Sequence, residues 1–290
     1  MSTATHDTAP TVNAAALLGP AARERDIHKF RVGDTVNVTV TATLASSFDA
    51  AIVFGGDGTV HRHLPELKNL KIPLLVVPWG SGNDFAKALG IRNEAIALRA
   101  WREFCSTGRN VREIDLGVIR KDGRETLFAC VAGMGLDSAA NAHANRMPAW
   151  LRGSAGYFLA ALKSLPTFQP LEIAVLAGDY EARGPAFLVA VANAHRYGGG
   201  MKVAPRASLE DGLLDVCRVG RMNKWKLLAC VPTIFFGAHL RVKQVEYFQA
   251  PAVHVETDEP LEVYADGEYT CSTPVDIGLF PRSLRVIGSD

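Results

Sequence analysis

The sequence predicts an α/β N-terminal domain with a three-layer parallel sheet, followed by a C-terminal antiparallel β-sandwich with inserted helices. In the first third of the chain, short apolar runs alternate with segments of helical spacing, which is typical of a parallel sheet covered by helices. Further on, strand-like runs follow one another across turn residues. We therefore expect a disordered leader at 1–15, the α/β domain at 16–115 and the sandwich at 116–290. A return of the last strand to the first domain is left open.

The elements of the first domain are predicted from hydrophobic periodicity. "VNVTVTA" and "DAAIVF" are predicted strands, and "VHRHLPELKNL" is a helical segment disturbed by Pro65. "IPLLVV" is a predicted buried strand, and "SGNDFAKALG" and "NEAIALRAWREF" are predicted helices. Continuous apolar strands of this kind favour a sheet that is covered on both faces.

The second domain is predicted from a series of strand-like runs separated by turns. In order they are "NVREIDLGVI", "TLFACVA", "LEIAVLA", "PAFLVAVAN", "GLLDVCRV", "VEYFQAPAVHVET", "LEVYADGEY" and "SLRVIG". Two helical insertions are expected, at roughly 138–165 and 222–238. The second contains the longest apolar stretch, "LLACVPTIFFGAHL", which is too short to span a bilayer and contains Pro232, so it is predicted to be a core helix.

Composition excludes some classes of function. The 290 residues are 48% apolar and 21% charged, with a net charge of +1, so bulk electrostatics give no reason to expect nucleic acid as a partner. The five cysteines are odd in number and widely spaced, which favours reduced thiols in the cytoplasm over disulfides or a zinc site. The polar N-terminus lacks the pattern of a signal peptide.

The stretch "FGGDGTV" places Gly55, Gly56, Asp57, Gly58 and Thr59 between a predicted buried strand and a helix. Such a turn lets backbone N–H groups and the helix N-terminus face a phosphate. An acid beside phosphates implies a metal ion or a hydroxyl contact. A tight turn in which Asp57 is the helix N-cap explains the same residues without any ligand.

A second loop of this kind, "PWGSGNDFAKALG", has Gly80, Ser81, Gly82 and Asn83 after the next buried strand. Asn83 and Asp84 are candidate caps of the helix that follows. Because the carboxyl ends of neighbouring parallel strands lie at one edge of a sheet, the two loops together favour a phosphate site there. Neither loop completes a Walker or a Rossmann fingerprint.

Three acidic motifs lie in the second domain. Asp137 in "AGMGLDSAA" is expected at a strand-to-helix corner, and Asp211 and Asp215 lie in the acidic turn "DGLLD". Asp266 and Glu268 lie two residues apart in "ADGE". Each motif alone has a structural interpretation, since Asp-Gly is a common hairpin turn signal.

Taken in order, "GGDGT", "PWGSGNDFAKALG", "DLG", "GLD", "NAHRYGGGMKVAP", "DGLLD" and "ADGE" resemble the diacylglycerol kinase catalytic-domain family, which includes bacterial lipid kinases and the sphingosine and ceramide kinases. The resemblance runs from about Asp49 to Glu268. "GGDGT" alone is shared with NAD kinases, whereas the "GSGNDFA" loop is more specific to lipid kinases. The resemblance implies an N-terminal domain that binds ATP, a C-terminal β-sandwich that binds the substrate, and a cleft between them for ATP and a lipid hydroxyl.

The resemblance also implies roles for single residues. Gly55–Thr59 and Gly80–Asn83 would hold the nucleotide. Asp266 would be the general base, with Glu268 beside it near the catalytic Mg²⁺, and Asp57 would join them in metal or proton chemistry.

Asp137 would contact the acceptor or support the site. In bacterial relatives the loop that matches Asp211–Leu213 holds a structural Mg²⁺ through a carboxylate and main-chain carbonyls, so Asp211 and Leu213 are the expected metal ligands. The chain departs from the family pattern at His61 and Arg62, where Asn-Glu is usual. It also lacks the Asn-Pro-x-Ser-Gly loop after the first strand; the nearest counterpart is "VNAAALLGPAARERD".

The sequence therefore predicts a cytoplasmic lipid kinase that makes peripheral contact with the membrane and transfers the γ-phosphoryl group of Mg-ATP to a lipid hydroxyl. Diacylglycerol is the default acceptor. Two alternatives stay open: a kinase of a soluble alcohol, as the NAD kinases are, and a relative that binds nucleotide or lipid without turnover. The segments that begin at Trp150 and Leu227 are candidate linings of an acyl pocket, although plain core explains them more simply. A homodimer is also open.

Overall fold

The computed structural model describes residues 11–136, 138, 163 and 168–289. Within these ranges, sixteen strands form one hydrogen-bonded network, parallel in its N-terminal part and antiparallel in its C-terminal part. This arrangement confirms the predicted fold class. It also brings the ends of distant strands together around the first turn of one helix.

The parallel part has the strand order β2–β1–β3–β4. Its strands are β1 (Val12–Leu18), β2 (Val36–Val40), β3 (Ala50–Gly55) and β4 (Leu74–Pro78). They are connected by a 3-10 helix (Glu24–Phe30) and by helices α1 (Asp57–Leu70), α2 (Asp84–Ala88) and α3 (Glu94–Thr107). All six residues of β3 are buried, as its continuous apolar run predicts.

The structure differs from the sequence prediction at two points in this part. The segment predicted as a leader overlaps β1, which begins at Val12 and pairs with both β2 and β3. Helix α1 is continuous through Pro65. Proline there removes only the N–H that would otherwise bond to the carbonyl of His61, so the rest of the helix is kept.

The antiparallel part is formed by twelve strands of the described residues: β5 (Val111–Lys121), β6 (Arg124–Phe128), β7 (Val131–Gly135), β8 (Leu171–Ala177), β9 (Tyr180–Ala182), β10 (Pro185–Ala192), β11 (Leu214–Gly220), β12 (Val245–Ala250), β13 (Ala252–Thr257), β14 (Glu262–Ala265), β15 (Glu268–Ser272) and β16 (Val275–Ile287). One layer contains β5, β6, β8, β9, β13 and β16, and the other contains β7, β10, β11, β12, β14 and β15. Apolar side chains such as Met134, Val175 and Val255 are buried together in the core of this part.

Strand β16 joins the two parts, because it is antiparallel to β5 and also pairs in parallel with β4, where Val286 lies opposite Leu74. A second connection matters for the site: the chain leaves β6 at Phe128 and begins β7, in the other layer, at Val131. Ala129 and Cys130 form this crossover.

The helical insertion predicted at 138–165 lies almost wholly outside the described residues. The insertion predicted at 222–238 is not a single helix: α4 (Lys224–Cys230) is followed by two 3-10 helices, Val231–Phe236 and Ala238–Arg241. None of the helices in the described part of the chain combines the length and apolar character needed to cross a membrane.

Candidate active site

Asp57, the first residue of helix α1, joins the two predicted glycine loops. Its Oδ2 and Oδ1 accept hydrogen bonds of 3.0 Å from the N–H groups of Asp84 and Phe85, which begin helix α2. The N-cap of its own helix is Gly56, so the expectation that Asp57 caps α1 is wrong: it caps the neighbouring helix. Loss of contact with water, together with the charge of Asp84, raises the pKa of Asp57 to about 6.

The glycines of the two loops are required by contacts within the protein. A Cβ on Gly80 would lie 2.3 Å from the Cα of Gly56, and a Cβ on Gly82 would lie 3.0 Å from Oδ2 of Asp57. A Cβ on Gly55 would lie 2.7 Å from Oγ1 of Thr59. The glycines therefore let the two backbones touch, which explains their presence before any ligand is considered.

Asn83 closes the second loop. It adopts a left-handed conformation with φ of 56°, and its side chain turns back on the loop. Its Oδ1 accepts the N–H of Gly80 at 2.7 Å, and its Nδ2 donates to the carbonyl of Gly80 at 2.6 Å. Asn83 thus occupies the N-cap position of α2 without a capping bond. Because Asp57 already binds the first N–H groups of α2, the start of α1 is the better place for a phosphate.

Asp84 extends the site towards the glycine run Gly198–Gly200. The residue is 2% exposed, and its Oδ2 accepts the N–H of Gly199 at 2.6 Å. Its Oδ1 has no hydrogen-bond partner and lies 3.7 Å from Nζ of Lys87. Burial raises the pKa of Asp84. From the sequence, Asp84 is a candidate helix cap only, since no local pattern shows that residue 199 lies beside it.

Asp266 lies in the turn between β14 and β15, with φ of 51°. Its side chain is 2% exposed and points at the crossover between β6 and β7. There Oδ1 accepts the N–H groups of Cys130 at 2.8 Å and Val131 at 3.2 Å, and Oδ2 accepts the N–H of Ala129 at 2.8 Å. The hairpin interpretation of "ADGE" is correct for the backbone, and the side chain has the additional role of anchoring the turn.

His61 completes the surroundings of Asp266, since its Nδ1 lies 3.2 Å from Oδ2. An ionised carboxylate has about four acceptor positions, so three N–H groups and one imidazole use them all. Burial lowers the pKa of His61, but the hydrogen bond and charge of Asp266, with the charge of Glu268, outweigh it and raise the pKa above its usual value. His61 was noted in the sequence only as a departure from the family pattern.

Glu268 is exposed and lies over the first turn of α1. Its Oε1 is 3.3 Å from the point that a Cβ on Gly58 would occupy. Three causes raise the pKa of Asp57. Burial is the largest, the charge of Asp84 comes next, and the charge of Asp266 is smaller. The structure therefore brings Asp57, Asp266 and Glu268 together at the N-terminus of one helix.

Comparison with known proteins covers nearly the whole chain. Residues 3–119 match the diacylglycerol kinase catalytic domain, and residues 130–288 match the YegS C-terminal NAD kinase beta sandwich-like domain. A diacylglycerol kinase of Mycobacterium tuberculosis is 38% identical over 256 residues, which are 86% of this chain and 79% of the relative. The chain belongs to the diacylglycerol kinase family. Membership makes it a phosphotransferase.

Solved structures show the fold of this kinase independently. A diacylglycerol kinase from Bacillus anthracis superposes with a TM-score of 0.70 at 22% identity, covering 96% of this chain and 97% of that one. An NAD kinase from Archaeoglobus fulgidus in complex with ATP superposes with a TM-score of 0.57 at 14% identity, covering 96% and 94%. The same fold therefore accommodates both the lipid kinase and the NAD kinase.

Two buried residues of the kinase, Asn193 and Asp115, connect the crossover that binds Asp266 to neighbouring loops. Nδ2 of Asn193 donates to the carbonyls of Asp115 and Ala129, each at 2.9 Å. The carboxylate of Asp115 accepts the N–H groups of Gly212 and Arg282, each at 2.8 Å. Sequence reasoning missed both residues, although the motifs "DLG" and "NAHRYGGGMKVAP" contain them and are the signal that identifies them.

The predicted metal loop of the kinase lies beside β11. Oδ1 of Asp211 accepts the N–H of Leu213 at 3.1 Å, and the carboxylates of Asp211 and Asp215 both accept from Nε2 of Gln249, at 3.4 and 3.1 Å. Within the described residues there is no group of three or more His, Cys, Asp or Glu side chains placed to hold a metal. Two adjacent carboxylates with main-chain carbonyls fit a hard cation such as Mg²⁺. Asp137 lies outside the described residues, so its role stays a prediction.

Proposed function

We propose that this kinase transfers the γ-phosphoryl group of Mg-ATP to a lipid hydroxyl, with diacylglycerol as the default acceptor. The meeting of Asp57, Asp266 and Glu268 at the first turn of α1 carries the proposal. Phosphoryl transfer needs in-line positioning, neutralisation of phosphate charge and a group that takes the hydroxyl proton. The positive end of a helix and three carboxylates provide these elements in one place. The M. tuberculosis relative, named a diacylglycerol kinase, supports the acceptor.

Gly55–Thr59 and Gly80–Asn83 are the proposed nucleotide cradle. The N–H groups of Asp57 and Gly58 precede the first hydrogen bond of α1, which Thr59 donates to the carbonyl of Gly56. Donors in that position face outward along the helix axis and suit a phosphate. The A. fulgidus NAD kinase, whose structure contains ATP on the same fold, supports this nucleotide.

Mg²⁺ is the proposed metal, and its chemistry in the reaction is to neutralise charge on the phosphate oxygens. The carboxylate of Glu268 lies at the helix start proposed for the phosphates. Two groups of negative charge at one place repel unless a cation lies between them. Asp211 and the carbonyl of Leu213 would hold a second, structural Mg²⁺ beside β11.

Asp266 is the proposed general base. All acceptor positions of its carboxylate are used by three N–H groups and His61. Asp266 can therefore take the hydroxyl proton only when the imidazole of His61 moves away from Oδ2. The N–H groups of the crossover keep the carboxylate fixed meanwhile. His61 is therefore proposed as a positioning residue that competes with the acceptor hydroxyl for Asp266.

The test is ADP release from Mg-ATP with mixed micelles that carry diacylglycerol, sphingosine, ceramide or phosphatidylglycerol. We expect turnover that depends on the acceptor and falls about 10²–10⁴-fold in Asp266→Asn. Asp179→Asn, at an exposed turn, is the matched control and should keep full turnover. Undiminished turnover in Asp266→Asn would remove Asp266 as the base. ATP binding without turnover on any lipid would favour a soluble alcohol, tested with a nucleoside acceptor, or a non-catalytic binder.

A further inference from the structure

The segment from Arg221 to Lys243, which contains α4 and the two 3-10 helices after it, carries large apolar side chains that are exposed. Trp225 is 78% exposed and Phe236 is 82% exposed. Leu228, between them in the sequence, is 39% exposed. Within the described part of the chain, Tyr269 is the other exposed large apolar side chain; it is 56% exposed and follows Glu268 of the candidate site. We call the exposed apolar side chains of this segment, Trp225, Leu228 and Phe236, the aromatic face.

The exposed residues follow a helical spacing. Trp225, Leu228, Ala229 and Pro232 lie at positions i, i+3, i+4 and i+7, and all four are exposed. The core is contacted by the opposite side of α4, where Leu227 is buried. The sequence predicts a core helix here because its apolar residues cover both sides. Packing buries one side only, so the other side needs a separate explanation.

The Lys, Arg, Asp and Glu residues of this segment have one sign of charge. Residues 221–243 contain no Asp or Glu and five basic residues, in a chain whose net charge is +1. The basic residues are Arg221, Lys224, Lys226, Arg241 and Lys243. A segment that combines aromatic and aliphatic residues with Lys and Arg, and contains no acid, has the composition of segments that lie in the interface of anionic membranes.

The aromatic face is also connected to the active site. The carbonyl of Ile234 accepts the N–H of Lys202 at 3.0 Å, and Met201 packs against Ile234 and Phe235. Two residues earlier in the same loop, the N–H of Gly199 bonds to Asp84. One loop therefore runs from the aromatic face to the carboxylate that borders the nucleotide loops.

We propose that the aromatic face docks this kinase on an anionic lipid bilayer. Trp225 and Phe236 enter the interfacial region, and the surrounding basic residues contact the headgroups. The inference rests on the proposed function in one respect: a lipid acceptor must be taken from such a surface. A bilayer supplies apolar depth and negative charge together, which is the complement of this face.

Binding is measured by sedimentation with sucrose-loaded vesicles of phosphatidylcholine, with and without phosphatidylglycerol. We expect the kinase to sediment with the anionic vesicles and to be released when salt shortens the Debye length from about 10 Å at 0.1 M to about 3 Å at 1 M. Trp225→Ala/Phe236→Ala should weaken binding about tenfold or more. Lys226→Glu/Lys243→Glu should abolish the preference for phosphatidylglycerol.

The matched control is Arg99→Glu/Arg102→Glu, which makes the same charge change at two exposed positions of helix α3 and should keep the preference for phosphatidylglycerol. Thermal unfolding checks that each variant is folded. Turnover with a short-chain diacylglycerol in solution should be unchanged in the Trp225/Phe236 variant, which separates docking from chemistry. Sedimentation with vesicles does not depend on kinase activity. The proposed kinase function can therefore fail while membrane docking is confirmed, and docking can fail while the kinase function is confirmed.

Three results would overturn the proposal. The wild type could fail to sediment with anionic vesicles, or the aromatic variant could sediment as well as the wild type. Light scattering could also show a dimer of the wild type that becomes a monomer in the aromatic variant. In that case a second copy of the chain, and not a bilayer, covers the face.

Discussion

Asp57 and Asp266 are held in similar ways in two different regions, but their neighbours differ. Both carboxylates accept backbone N–H groups with both oxygens: Asp57 from the start of α2, and Asp266 from the crossover between β6 and β7. The charged neighbour of Asp57 is another acid, Asp84. The charged neighbour of Asp266 is His61, which can carry the opposite charge.

The comparison shows that two carboxylates held by similar backbone N–H groups can fit different roles when their charged neighbours differ. Burial, together with the charge of Asp84, raises the pKa of Asp57 to about 6, and the oxygens of Asp57 serve to fix two loops. Next to His61, Asp266 has a group with which a proton can be shared or exchanged. Asp57 therefore fits a role in shaping the nucleotide site, and Asp266 fits a role in proton transfer. The predictions below test this division.

The largest effect is expected from Asp57→Asn. The side-chain NH₂ would face one of the two N–H groups that Asp57 now accepts, which costs about 1–3 kcal/mol. Since these groups hold the two loops together, we expect the affinity for ATP to fall about 10–100-fold, measured by titration calorimetry. Asp179→Asn, at an exposed turn, is the control and should keep the wild-type affinity. Equal ATP affinity of Asp57→Asn and wild type would contradict the role in shaping the loops.

A smaller effect, of a few-fold, is expected in the pH profile of His61→Asn. If protonated His61 holds Oδ2 of Asp266, turnover should rise as the pH passes through the raised pKa of His61, and the substitution should remove this rise. The free energy of unfolding should change with pH in the opposite direction to turnover. The ion pair stabilises the fold fully below the unfolded value of 6.5, and this contribution is lost as the pH rises through the higher folded value.

The control for this variant is His63→Asn, two residues along the same helix, where Nδ1 lies 3.5 Å from Glu66 and not in the site. It should keep the wild-type profile. If His61→Asn also keeps it, the competition between His61 and the acceptor hydroxyl is wrong, and Asp266 takes its proton without displacing the imidazole.

Asp84→Asn should reduce the dependence of stability on pH by an amount on the order of 1 kcal/mol, because it removes the raised pKa of Asp84 itself and the charge of Asp84 next to Asp57. The folded pKa of Asp57 is raised, so the folded state binds the proton more tightly and loses stability as the pH rises from 3.8 to about 6. Removing the charge of Asp84 lowers the pKa of Asp57 and reduces that loss. Urea unfolding at the two ends of this window measures it. An unchanged difference between the two pH values would show that Asp84 does not set the pKa of Asp57.

The sequence predicts well the elements whose pattern is local. The apolar runs of β3 and β4, the helical spacing of α3 and the Asp-Gly turn before β15 each specify their own conformation, and all are observed. Strand β1 was partly assigned to a leader, because its alanines become core only through pairing on both sides. The segment after Arg221 was assigned to the core, because a one-dimensional pattern does not show which side of an apolar helix is covered.

The sequence predicts which residues belong to the candidate site better than it predicts how they are arranged. Motif order identified Asp57, Asp266 and Glu268, but the contact between His61 and Asp266 joins residues 205 positions apart. The glycines were predicted to approach a phosphate, whereas Gly56 and Gly80 approach each other. Such pairings depend on how strands are ordered in the sheet, which no local pattern contains.

The smallest effect concerns a third acidic region, where the carboxylates of Asp211 and Asp215 both accept hydrogen bonds from the side-chain amide of Gln249. If a cation takes the role there that His61 takes at Asp266, Mg²⁺ should raise the unfolding midpoint by about 2–4 °C. Asp211→Asn should lose this rise and keep the midpoint measured without Mg²⁺, whereas Asp179→Asn, at another exposed turn, should keep both. A rise that persists in Asp211→Asn would locate the stabilising Mg²⁺ elsewhere. The acidic pair beside β11 would then be held by protein groups: Gln249 for both carboxylates, the hydroxyl of Tyr247 for Asp215 and the N–H of Leu213 for Asp211.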